Sequence, residues 1–221
     1  MAITVNDIAL GQYHADLLEY SVSGINYQNN YVTPLNGFFP ISFQGTYGER
    51  TLTMKMDFSG ATQAEAEGYA SAFVASVMGG AEILLPDGYY YKCALKKADA
   101  STHPAPWVSQ LALTFACVRH GALVTVNMSQ SGTLAAQGNR ETPCKLTISN
   151  ISGDCTVMGI NITGITGTLI IDGITRTVTA GGENAFLNTD LTKFPTLEAG
   201  SNAIDMTAGV SVKIEYYPLY L

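Results

Sequence analysis

A mainly β chain of two domains is what the sequence predicts: first a β-barrel or sandwich with one helix laid against it, then a β-sandwich. Three observations carry that prediction. The run RTLTMKMDFS alternates apolar and polar residues; one later stretch switches to helical period; and everything beyond Cys144 is short alternating runs broken by turn residues. With 221 residues, each half is long enough to bury its own core.

The opening stretch, MAITVNDIALGQYHADLLEY, lacks a basic region followed by an unbroken apolar run, and no apolar segment reaches the ~20 residues of a membrane span. No secretory signal and no membrane insertion are therefore expected, and folding in a cytoplasm is. Next comes QNNYVTPLNGFFPISFQGTYGER, which gathers Tyr31, Phe38, Phe39, Phe43 and Tyr47 between Pro, Gly and Asn where a simple loop would be polar. Two readings stand side by side: Phe39 and Phe43 plug the end of a barrel, or the stretch is an arm lying on a neighbouring subunit.

In the strand Arg50–Ser59, Leu52, Met54, Met56 and Phe58 share one face while Thr51, Thr53, Lys55 and Asp57 share the other. The spacing then predicts a helix over 62–78. Thr62 and Glu65 have capping-box spacing; Ala66, Tyr69, Ala70, Phe73, Val74 and Val77 follow an i, i+3, i+4 rhythm; and Gly79 with Gly80 supplies the stop. Strands resume at EILLP, YYYKCALKKA and VSQLALTFACV, and the first domain closes near His120 and Gly121. The stretch 124–143 begins as a strand and fades into Ser, Gly, Gln and Asn, so the domains are expected at 1–127 and 144–221 with a junction at 128–143. Beyond it, KLTISNI, TVMGINITGI, GTLIIDG, ITRTVTA, NAIDMT and VSVKIEYYPLY follow at short spacing, and Asp172-Gly173 signals a hairpin.

Charge and composition exclude several functions. Net charge is −7, from 18 acidic and 11 basic residues without any Lys/Arg cluster, which argues against nucleic-acid binding. Only 13% of residues are charged against 47% hydrophobic, which suggests surface covered by other subunits; a monomer dressed with Ser, Thr, Asn and Gly is the alternative. No P-loop, GxSxG, HExxH or paired-Cys zinc motif occurs, so no catalytic residue, metal or cofactor is expected. His14, His103 and His120 read as surface or capping residues, and Glu65 and Glu67 as first-turn helix acids pointing to different sides. Cys93 and Cys117 read as small core residues. A bridge between Cys144 and Cys155 is geometrically conceivable but is not expected in a reducing compartment.

The corner FPTLEAGSNAI, residues 194–204, carries most weight. Together with a Gly/Pro-containing N-terminal loop, GERTLTMKMDFSG leading into a helix, LALTFACVRHG, and the closing VSVKIEYYPLY, it makes the chain resemble the distal tail protein family of long-tailed, non-contractile bacteriophages and prophages. That family's second domain ends in a Phe-Pro-x-Leu-x-x-Gly-x-Asn corner, matched by Phe194, Pro195, Leu197, Gly200 and Asn202 as architectural residues; Ala199 stands where the family often has Pro. The resemblance implies a split β-barrel-like first domain and a galectin-like or carbohydrate-binding-module-like sandwich. It also implies a homohexameric ring, single or stacked, made by the first domains. That ring would join the tail tube protein to tail-tip, baseplate or receptor-binding proteins in the virion tail, after assembly in the host cytoplasm. An alternative function is a carbohydrate-binding module or adhesin for cell-wall glycans; an enzyme would need an acidic pair or metal cluster that the sequence lacks.

Overall fold

The computed structural model describes residues 3–28, 31–32, 41–42 and 46–221, with 27–28, 31–32, 41–42 and Thr46 by backbone alone. The chain divides into two compact units, Met1–Arg119 and His120–Leu221, and it is mainly β with one α-helix among the described residues.

In the first unit a curled half-barrel sheet runs in the order Ile8–Ala9, Thr4–Val5, Ala81–Leu84, Tyr90–Ala98, Val108–His120, Arg50–Ser59, Ala15–Val22. The two longest strands fix its register. Leu52, Met54 and Met56 stand opposite Phe115, Leu113 and Leu111, so the apolar sets of both strands fall on one face; a one-residue slip would turn all six to the other side. That face is buried completely or nearly so.

The helix Gln63–Val77 covers it with Ala66, Ala70, Phe73 and Val77. Phe73 is fully buried between Phe58, at 5.5 Å between ring centroids, and the edge of Tyr13, at 5.1 Å. Burying one such side chain contributes about 1.5–3 kcal/mol. At the N-terminus Thr62 Oγ1 accepts from Glu65 N–H at 3.3 Å, while the Glu65 carboxylate reaches one residue further back than the simple capping box and accepts from Ala61 N–H at 2.7 Å. Gly80, at φ 107°, donates to Val77 O and ends the helix.

In the second unit the larger sheet runs in the order Val124–Met128, Ser211–Tyr216, Thr142–Ile151, Gly167–Asp172, Thr177–Ala180, Glu183–Asn184. Two further strand pairs, Gly132–Ala136 with Gly200–Ile204 and Cys155–Val157 with Ile160–Ile162, supply Leu134, Ile204, Val157 and Ile162 to the core that Leu146, Ile148, Ile171 and Ile214 form from the large sheet. This is a β-sandwich whose inner faces meet through aliphatic side chains.

Two expectations change. The expected junction 128–143 is not a linker: the chain divides at Arg119 and His120, and Val124–Met128 and Gly132–Ala136 are strands of the second unit. Only Leu134 and Ala136 point inward from the latter strand, too short an alternation to stand out, and its partner lies about 70 residues away in sequence. The Asp172-Gly173 hairpin is present but longer than a two-residue turn, since Asp172 pairs with Thr177 across a loop at 173–176. Asp172 Oδ1 accepts from Ile174 and Thr175 N–H groups at 2.8 and 3.0 Å. Gly173 is needed for close approach, because a Cβ there would lie 2.6 Å from Pro195 O and 2.7 Å from Cys144 O.

Candidate functional site

The 194–204 corner is welded to the sandwich. Thr196–Leu197 pairs with the start of Thr142–Ile151, and Cys144 N–H donates to Pro195 O at 3.1 Å. Leu197 and Pro195 are buried, and Phe194 packs half-buried against the core. Gly200 takes φ 91°, a conformation that a side chain would strain. Asn202 closes the turn with its side-chain amide: Oδ1 accepts from Glu198 N–H at 2.8 Å, and Nδ2 donates to Glu198 O at 2.9 Å and Gly200 O at 3.0 Å. Ala199 is exposed and leaves the turn without a ring to stiffen it.

Of the aromatic arm, Phe38, Phe39 and Phe43 lie outside the described residues. Tyr31 pairs through its backbone with Ser42, and Tyr47, 44% exposed, pairs with Tyr27.

The histidines occupy three different environments. His14 caps the short 3-10 helix Leu10–Tyr13 in a left-handed conformation and stacks on Tyr69 at 4.0 Å. His103 meets Glu67 at 2.8 Å. His120 departs from the surface reading: it is buried, with Nδ1 2.8 Å from Gly121 O and its ring set edgewise on Tyr217. Glu65, besides its capping role, accepts from the Tyr69 hydroxyl at 2.8 Å; that bond, then the one from Ala61, holds its carboxyl below the usual range.

All four cysteines are free and buried. Hydrogen bonding to Cys117 and then burial push the Cys93 thiol up, and burial alone pushes Cys144 up to about 12. Neutral, sequestered thiols of this kind are poor nucleophiles and poor metal ligands. Among the described residues no group of three or more His, Cys, Asp and Glu side chains is placed to hold a metal ion.

A concave feature on the second unit gathers charged side chains. A cleft of about 620 Å³ is lined by Arg140, Arg176 and Lys193, with Phe194, Thr192 and Thr196 among them. Lys193 pairs with Glu141 at 2.9 Å, and Glu141 is held below the usual carboxylate range by Thr196 first and Lys193 second. Sequence reading did not single out these three cations. They lie far apart along the chain, and only the pairing of strands brings them together. Phe186 is 42% exposed, and Leu187 beside it is 96% exposed.

The helix-bearing half-barrel followed by a β-sandwich has the fold of solved phage tail and baseplate structures. Solved structures make the likeness specific. The SPP1 Dit protein, described as a paradigm of the hub adsorption apparatus in phages infecting Gram-positive hosts, matches over 98% of both chains with a TM-score of 0.73 at 11% identity. The phage P2 baseplate in its activated conformation with calcium matches over 95% of this chain and 92% of that one, TM-score 0.61 at 10% identity. The strontium form of the p2 baseplate matches over 97% of both chains, TM-score 0.60 at 11% identity. No protein-family model and no curated protein sequence matches the chain.

Proposed function

We propose that this chain is a distal tail hub protein of a long-tailed phage or prophage: a structural component, without catalytic activity, that assembles as a homohexameric ring between the tail tube and the tail tip or baseplate. The observation that carries the reading is the end-to-end match to the SPP1 Dit hub, which takes in both units of this chain. The residue-level likeness at Phe194, Pro195, Leu197, Gly200 and Asn202 supports it independently of the coordinates.

The first unit is the ring-forming part in this reading. Its sheet ends in Ile8–Ala9 on one side and Ala15–Val22 on the other, and among the described residues neither outer edge has a partner strand. Two different edges on one subunit are what a heterologous contact needs, and a heterologous contact that closes makes a ring. Leu18, half exposed on the second of these strands, offers apolar area to the contact. The second unit then projects from the ring and carries receptor-binding or baseplate proteins.

Light scattering on the purified chain across a concentration series tests the assembly. A mass near 141 kDa, six chains of 23.5 kDa, is expected; a monomer at every concentration, also in the presence of tube and tip proteins, would overturn the ring.

A further inference from the structure

The cleft on the second unit is cationic in a unit that is otherwise acidic. Three of its five Lys and Arg residues line this one hollow, Lys145 and Lys213 being the other two, and Glu141 is the only acidic residue on the lining. Concentrating positive charge in this way raises the local concentration of anions, and it opposes the repulsion that the net charge of −7 exerts elsewhere.

Arg176 is the focal residue. It lies exposed at the end of the 173–176 loop, lines the cleft, and also lines a second hollow of about 440 Å³ that runs on towards Phe186. Its guanidinium makes no ion pair or side-chain hydrogen bond among the described residues, so its donors are available to a ligand. Its backbone sits at φ 58°, a left-handed conformation in which Gly or Asn would be more stable. Folding alone therefore favours a different residue here, while a planar fork of donors suits a carboxylate or phosphate.

The surroundings narrow the ligand. Phe186 and Phe194 stand 6.5 Å apart between ring centroids, one on each hollow, and add apolar area; Thr192 and Thr196 add hydroxyls that both donate and accept. Each of the two hollows by itself falls in the range of about 300–1,000 Å³ typical of small-molecule sites. An acidic peptide adding a strand would need a long open edge, but the outer strand beside the second hollow is Glu183–Asn184, two residues long and bearing a carboxylate.

We propose that the Arg176 cleft binds an acidic saccharide, a sugar unit carrying a carboxylate or phosphate. Arg176 and Arg140 hold the anion, and Phe186 and Phe194 pack against the apolar face of the ring. This site is independent of ring assembly, and it stands or falls apart from the hub reading.

The test is calorimetric titration of the full chain with four probes: a galacturonic acid trisaccharide, a phosphorylated mannose oligosaccharide, a neutral galactose trisaccharide and a short polyglutamate peptide. At least one acidic saccharide should bind about tenfold or more tightly than the neutral one, with affinity falling as salt rises. The stronger acidic arm identifies carboxylate or phosphate as the source. Arg176→Gln should weaken binding about tenfold. Arg176→Gly should weaken it equally while raising the melting temperature, because it relieves the left-handed backbone; this separates loss of ligand from loss of fold. Absence of binding to both acidic saccharides, polyglutamate binding as tightly as either, or affinity unchanged in both Arg176 variants would each overturn the site.

Discussion

The first unit buries Phe58, Phe73, Phe115 and Tyr91 beneath a helix, whereas the second, apart from Tyr216, fills its core with Leu, Ile, Val and small residues between layers of strands. Irregular stretches of the second unit are fixed by side chains. Asn161 N–H and Nδ2 donate to Asp190 at 2.7 and 2.6 Å, Thr156 N–H donates to Thr207 Oγ1 at 2.9 Å, and Asn202 closes the 198–202 turn. Large aromatics under a single helix tie a sheet together at one point while leaving its edges open. Aliphatic layers with pinned loops make a small platform that can carry a shaped surface. The first unit is thus suited to association through sheet edges, and the second to presenting a site.

That contrast is most exposed to change at Phe73. Phe73→Ala removes the ring that joins helix to sheet and is expected to cost about 3–5 kcal/mol in the first unit alone. Thermal unfolding followed by calorimetry and by hydrogen exchange of 144–221 amides checks this; equal loss of protection in the second unit would break the comparison. Next in size is a pH effect, which the raised thiol of Cys144 brings to the second unit as that of Cys93 does to the first. Because burial pushes Cys144 up to about 12, the folded thiol stays neutral while the unfolded one, near an ordinary value of about 8.5, ionises. Stability is therefore constant below about pH 8.5 and falls as pH rises towards 12, by about 2 kcal/mol at pH 10. Cys144→Ala should reduce that slope by the Cys144 share, read from melting temperatures of wild type and variant at pH 8 and pH 10.

Smaller still is Asn202→Ala, which removes three hydrogen bonds from a partly solvated turn and is expected to cost about 1–2 kcal/mol; urea denaturation monitored at the C-terminal tyrosines reads it. The smallest effect has the opposite sign. Ser109 is fully buried opposite Phe58 with no hydrogen-bond partner for its hydroxyl among the described residues, so Ser109→Ala should stabilise the first unit by about 1 kcal/mol, measured as a shift of the denaturant midpoint at unchanged slope.

Elements whose order is written in contiguous residues were legible in the sequence. Arg50–Ser59 alternates over its whole length, the helix carries its cap and stop within the run, and Ser211–Tyr216 buries every second residue. Gly132–Ala136 was not legible, since it inserts just two small apolar side chains and depends on a partner strand distant in sequence. His120 looked like a turn residue because Gly121 follows it. Its burial comes from the chain's last residues: Leu219 bridges to it and Tyr217 packs on it. The cleft was hidden for the same reason. Arg140, Arg176 and Lys193 belong to three separate segments, and no local pattern signals that these converge. By contrast the 194–204 corner was readable, because Pro195, Gly200 and Asn202 each impose a local conformation that needs no distant partner.

The central claim is that the first unit closes a ring and the second decorates it, and negative-stain electron microscopy of the purified full-length chain tests it most directly. Class averages should show ring particles with sixfold rotational symmetry and peripheral lobes. Particles without rotational symmetry, or rings of another order, would contradict it.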